Sequence, residues 1–242
     1  MKTLRFLVVS AMVGVALLLG IQSTSHALKL GFYDFVNPAF FVTDNQPGPG
    51  GDINPLIGVI TFSGPIGANW LVNVTTGISK PILGSAVNPQ IDLNSVNVSS
   101  ATGGHLRFGV VDSGFTAPIS GGVAGPFDFA VGGTTQGSAF FDAFGDAANT
   151  ELFGGVIFGT LGPFSPPPIG FSGNLSGSFL AGPGPFAIGI IADITHAGAG
   201  AQTTSFNSSL TAGKIPEPIS LILLGSGLAG AGLYRRLRKP RG

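Results

Sequence analysis

The chain lacks cysteine altogether and has little charge: among 242 residues, 9% are charged, one is Trp and two are Tyr. Without cysteine there is no disulfide framework, no thiolate zinc site and no cysteine nucleophile. Eleven basic side chains balance eleven acidic ones, and no basic patch is at hand to displace counterions from phosphate, so a nucleic-acid partner is excluded. The zero net charge is a cancellation between regions. Lys2, Arg5, Lys214, Arg235, Arg236, Arg238, Lys239 and Arg241 lie at the two ends, whereas residues 28–213 hold Lys29, Lys80 and Arg107 against ten carboxylates, a net of −7. An acidic body of this kind stays soluble and is repelled by anionic surfaces. No P-loop, G-x-S-x-G elbow or H-E-x-x-H pair occurs in residues 28–213, so the usual scaffolding of nucleotide hydrolysis, acyl transfer and zinc hydrolysis is missing.

What is present is concentrated first at the N-terminus. Two cations within Met1–Arg5 precede an almost unbroken apolar run, Phe6–Ile21, and Ser25 and Ala27 supply the small residues of a cleavage site before Leu28. This order is that of a secretory signal peptide, residues 1–27, which engages the secretion machinery and signal peptidase. Its apolar run of about 16 residues is short for a membrane span.

The C-terminal end, residues 214–242, carries a second address. Residues 219–234, ISLILLGSGLAGAGLY, are uncharged and are followed by Arg235, Arg236, Arg238, Lys239 and Arg241. As a helix the run would be about 24 Å long, slightly less than a hydrocarbon core of about 30 Å, a gap that snorkelling arginines close. The basic cluster stays cytoplasmic by the positive-inside rule and leaves the body on the outer side of the inner membrane. Just before the run, Pro216-Glu217-Pro218 forms a stiff extended tripeptide that cannot join a helix. Residues 225–230 match G-x-G-x-x-G, but no strand precedes them and no βαβ unit surrounds them, so the match is not a dinucleotide site.

Tripeptide, Leu- and Gly-rich run and Arg-rich end, in that order, resemble the PEP-CTERM sorting signal of Gram-negative bacteria. The resemblance implies a partner, an exosortase-type membrane enzyme that recognises Pro216, Glu217 and Pro218 and processes the tail. It also implies membrane anchoring before processing and a cell-surface or extracellular destination afterwards. Residues 41–99 resemble the ectodomains of other PEP-CTERM proteins, a likeness that brings no activity with it.

Between the ends, residues 28–213 read as an all-β sandwich or jelly roll of about 8–10 strands. Gly and Pro make up about a quarter of this stretch, yet it also holds nineteen phenylalanines, and disordered chains are poor in aromatics. Trp70–Thr76, Leu106–Val110 and Phe186–Ile194 alternate with period two, which predicts strands with one wet face. Gly- and Pro-rich clusters at 48–51, 103–104, 121–122, 132–133, 166–168 and 182–185 read as turns between them. Gly-Pro-Phe recurs at 125–127, 162–164 and 184–186 at irregular spacing, which speaks for turns followed by a buried ring and against a solenoid.

Few residues in the body invite chemistry. His105 and His196 lack ligand spacing and read as structural. Asp193, His196 and any of many serines would make a triad on paper only. Asp142 with Asp146, Asp112 with Asp128, and Glu151 are the carboxylates from which a glycan hydrolase would have to be built. Asp52, Asn54, Asp142 and Asp146 offer hard oxygen ligands on loops, so calcium is the one cofactor to consider, without EF-hand spacing. Asn73, Asn97, Asn174 and Asn207 fit the N-x-S/T pattern, which an Asn- and Ser-rich chain produces by chance. Trp70, Tyr33 and surface Phe residues are candidates for stacking on sugar rings, with core packing as the default. The expectation is a non-enzymatic exported protein of the cell surface, extracellular matrix or biofilm, partnered by exopolysaccharide. A carbohydrate-binding module, calcium-dependent or not, is the alternative, and a glycan hydrolase the third reading.

Overall fold

The computed structural model describes residues 28–116, 124–150, 154–165, 169–180, 184–198 and 200–213. The signal-peptide residues Ser25 and Ala27, the whole of 214–242 and Glu151 lie outside them. All regular structure in this region is β, and among the described residues no helix is long and apolar enough to cross a membrane.

Twelve strands form two antiparallel sheets of six. β1 (Lys29–Tyr33), β2 (Phe40–Thr43), β6 (Gly104–Phe115), β8 (Ser138–Asp146), β9 (Val156–Phe164) and β11 (Phe186–His196) build the first sheet, in spatial order β2-β1-β6-β11-β8-β9. The second consists of β3 (Val59–Ile66), β4 (Trp70–Ile78), β5 (Gln90–Ser100), β7 (Ala124–Thr135), β10 (Ile169–Leu180) and β12 (Gln202–Ala212), ordered β10-β7-β12-β5-β4-β3. The sandwich expected from the sequence is therefore present, with twelve strands where about 8–10 were anticipated. Gly132-Gly133 corrects the turn reading as well: both lie inside β7, where β10 and β12 on either side supply ladder partners for a stretch that on its own resembles a turn. A Cβ on Gly133 would come within 2.1 Å of the Ser205 carbonyl, so the close approach of β7 to β12 there requires glycine.

The inward face read at period two is present in all three runs, but the wet outward face expected of Phe186–Ile194 is not, because Ala187, Gly189 and Ile191 between the inward residues of β11 are buried as well. Trp70, Val72 and Val74 are buried between wet neighbours, and Leu106, Phe108, Val110, Ile188, Ile190, Ala192 and Ile194 join the same core. Phenylalanines carry that core across the sandwich as two rows of touching rings. One runs Phe32–Phe108–Phe206–Phe141–Phe171–Phe164, with centroids 4.6–6.1 Å apart. The other runs Phe115–Phe186–Phe179–Phe158–Phe127, at 4.5–6.1 Å. Each buried ring contributes roughly 1.5–3 kcal/mol, and each aromatic contact about 0.5–1.5 kcal/mol more. The Gly-Pro-Phe rings at 127 and 186 are buried, and Phe164 packs against the core from β9, but Gly125-Pro126 and Gly162-Pro163 lie inside β7 and β9 and not in the turns expected there.

Each end of the layer gap is closed by a polar buckle. At one end His196 on β11 meets Ser100 Oγ at 2.7 Å through Nδ1 and Thr204 Oγ1 at 3.0 Å through Nε2, and Thr204 in turn meets Thr135 at 2.7 Å. At the opposite end Asp112 on β6 pairs with Lys80 Nζ at 2.8 Å and accepts the Ser79 hydroxyl at 2.7 Å. The first buckle ties β11 to β5 and β12 of the opposite sheet, and the second ties β6 to the segment that follows β4.

Candidate functional site

The calcium candidates are not brought together. Asp52 is buried and accepts the amides of Asn45, Asn54 and Thr61 at 2.9–3.0 Å, so its carboxylate organises the loop between β2 and β3. Asn54 accepts the Leu56 amide at 3.0 Å. Asp142 and Asp146 lie on β8: Asp142 accepts the Thr160 hydroxyl at 2.6 Å, and Asp146 closes a turn through the amides of Ala148 and Thr150, each at 2.9 Å. Among the described residues no group of three His, Cys, Asp or Glu side chains could hold a metal ion.

The carboxylate pairs meet a similar outcome. Asp112 faces the interior of the first sheet, whereas Asp128 is exposed on the second and accepts the Ser176 hydroxyl. Burial pushes the Asp112 carboxyl above its usual range despite the opposing Lys80 charge. Asp44 is also raised, by burial and by the charges of Asp52 and Asp112; its one oxygen accepts the Gly58 amide at 2.7 Å and the other has no partner. Asp193 and His196 point to opposite faces of β11, so no triad joins them. His196 sits in the interlayer buckle, where burial holds its imidazole below the ordinary histidine range and keeps it neutral.

Among the described residues, two surfaces stand out, one on each sheet. On the second sheet a shallow cavity of about 350 Å³ crosses β5, β12 and β7, lined by Ser95, Asn97, Gly132, Thr134, Ser205 and Asn207, and a smaller one of about 160 Å³ continues it past Asp92. A bulge in β5 opposite Asn207 leaves Ser95 at φ +53°, and Asn207 Oδ1 takes the Ser95 amide at 2.6 Å.

On the first sheet the ladder aligns Tyr33, Arg107 and Asp193 across β1, β6 and β11. Asp193 accepts Arg107 in a two-pronged pair, Nε to Oδ1 and NH2 to Oδ2, both at 3.0 Å, and Oδ1 also faces His105 Nε2 at 3.0 Å. Because a carboxylate only accepts, Nε2 carries the proton and Nδ1 is left to the ring's other side. Asp142 lies near this pair, its carboxyl raised by burial and by the Asp193 charge. Over the same cluster, Phe35 stacks on His105 with centroids 4.2 Å apart and planes at 14°, and touches Tyr33 at 4.4 Å. Tyr33 and Phe35 are 38% and 43% exposed, whereas Trp70, the other ring considered for sugar stacking, is 4% exposed against His196 and corrects that part of the reading.

Phe35 is held at φ +62° by a turn in which Asp34 Oδ1 accepts the amides of Val36 and Asn37. A bulky side chain in the left-handed region costs roughly 1–2 kcal/mol that Gly would avoid. Phe35 is one of the surface Phe residues considered for stacking, though not singled out by the sequence, and the Arg107–Asp193 pair is not visible there at all. The Asp34-to-Asn37 spacing is a turn signal, but nothing in the sequence joins residues 86 positions apart.

Comparison with known proteins places the tail. No match was found among curated proteins. Among solved structures, the enzymatically active domain of bacteriophage CBA120 tailspike protein 4 is similar over 57% of this chain and 19% of its own, at 13% identity and a TM-score of 0.29. Residues 214–239 match the PEP-CTERM protein-sorting motif. The chain thus carries a PEP-CTERM sorting signal behind its β-sandwich and is an exported protein handled by an exosortase.

Proposed function

We propose that the body, released from its signal peptide after Ala27 and processed at Pro216-Glu217-Pro218, serves as a non-enzymatic component of the cell surface or extracellular matrix in association with exopolysaccharide. The observation that carries this reading is the sorting motif at 214–239 behind an acidic sandwich. Within the sandwich, Asp52, Asp112 and Asp146 are engaged by backbone amides, hydroxyls or Lys80, in the manner of structural carboxylates. The basic cluster Arg235, Arg236, Arg238, Lys239 and Arg241 holds the tail at the inner membrane until the cut is made.

A second reading, a carbohydrate-binding module, is favoured by the exposed rings of Tyr33 and Phe35 beside Arg107. The sorting step is tested by replacing Pro216, Glu217 and Pro218 with Ala in the native host. The variant is expected to accumulate in the membrane fraction with its tail attached, whereas the parent reaches the surface or medium without it. Equal release of both would refute the role of the tripeptide.

A further inference from the structure

Building on the exopolysaccharide reading, we propose that Tyr33, Phe35, His105, Arg107 and Asp193 form a binding platform for a neutral polysaccharide. Phe35 stands apart among these residues. Its backbone sits where Gly or Asn is at ease, and its ring is 43% exposed, so neither local conformation nor core burial accounts for an aromatic residue at that position. The ring instead stacks on His105, meets Tyr33 at an interplanar angle of 44° and, with Arg107 5.8 Å from its centroid, extends the ladder row of β1, β6 and β11 outward. Flat rings beside hydrogen-bonding groups suit a pyranose, whose C–H face packs on an aromatic while its hydroxyls take donors and acceptors at the rim.

The rim is already rigid. The two-pronged Arg107–Asp193 pair fixes the guanidinium and leaves both NH1 hydrogens and the second NH2 hydrogen as donors, and His105 keeps Nδ1 for a further hydrogen bond. Charge selects among sugars. Arg107 is neutralised by Asp193, Asp142 stands close by, and the body around them is acidic, so a uronate or sulfated chain meets repulsion and a neutral chain does not.

The test uses the full chain purified in detergent, run by affinity electrophoresis through gels containing a neutral glucan (hydroxyethyl cellulose or dextran), a neutral mannan, or polygalacturonate as the anionic counterpart. Phe35→Gly removes the ring at a position whose backbone favours glycine, so its fold is maintained and a melting curve confirms it. Arg107→Ala reports on the rim, and Asn207→Ala on the cavity of the second sheet. Retardation by at least one neutral polymer is expected, weakened about tenfold or more in Phe35→Gly and Arg107→Ala and unchanged in Asn207→Ala. Retention by polygalacturonate alone, loss in Asn207→Ala with Phe35→Gly unaffected, or no retention by any neutral polymer overturns the platform. The matrix reading fails separately, if the native protein is absent from the surface and matrix fractions even though Phe35-dependent binding is measured in gels.

Discussion

β11 and β12 are both eleven residues long and run at the centre of opposite sheets, yet their outward faces differ. In β12 the outward residues Thr203, Ser205, Asn207 and Ser209 sit among hydroxyls and amides of β5, as in Ser205 Oγ to Asn97 Oδ1 at 2.6 Å and Ser99 to Thr203 at 3.2 Å. In β11 the outward residues Ala187 and Ile191 are buried together with Val111 and Phe144 in a cluster separate from the main core. The Phe144 ring lies across Gly189, its ladder partner, where an added Cβ would come within 2.3 Å of the ring. The second sheet is thus a wet-faced sheet of the usual antiparallel kind, while the first carries a buried apolar cluster on its outward face across β6, β11 and β8, beside the polar row of Arg107 and Asp193. The lesson is that a strand's inward alternation says little about its other side.

The largest effect that would sharpen this contrast is expected from Phe144→Ala. If the outer face of the first sheet is a packed layer, the variant loses about 3–5 kcal/mol in denaturant unfolding, as deletion of a core ring does; a loss under about 1 kcal/mol would mean the layer contributes nothing. Next is Lys80→Met, which leaves the Asp112 carboxylate without its cation. Side-chain exposures of 17% and 1% place this pair near the buried limit, and a loss of about 3 kcal/mol is expected, largely restored when Asp112→Asn is added. Failure of the second substitution to restore stability would show that Asp112 has another source of compensation.

A smaller effect concerns pH. His196 binds its proton less readily when folded, so its contribution is present above the unfolded value of 6.5 and is lost as pH falls below it. Asp44, Asp112 and Asp142 run the opposite way: raised when folded, they take up protons above 3.8, and acidification relieves their cost. His196→Gln is therefore expected to gain stability relative to the parent as pH is lowered from 7 to 5 in thermal melts; parallel curves would deny the histidine this role. The smallest effect belongs to the wet face, where Ser205→Ala is expected to stay within about 0.5 kcal/mol of the parent, and a larger loss would erase the contrast.

How much of this could be read beforehand depended on which groups carry the signal. The runs at Trp70, Leu106 and Phe186 declared their strands because large apolar residues recur at every second position. β10, IGFSGNLSGSFL, declares little, since Gly and Ser fill most of its positions and its register against β7 supplies what side chains do not. Tyr33 was visible as a candidate for sugar stacking because an aromatic residue announces itself. Its neighbours His105, Arg107 and Asp193 meet only through the β6–β11 ladder, a relation set by tertiary register. The sorting signal, by contrast, is a linear motif and was legible whole.

The most direct test of the account is the intact mass of the protein recovered from its native host. A chain that starts at Leu28 and has lost its basic tail, found outside the cytoplasm, is the predicted result. A 24.4 kDa species uncut at either end and dissolved in the cytosol would contradict it.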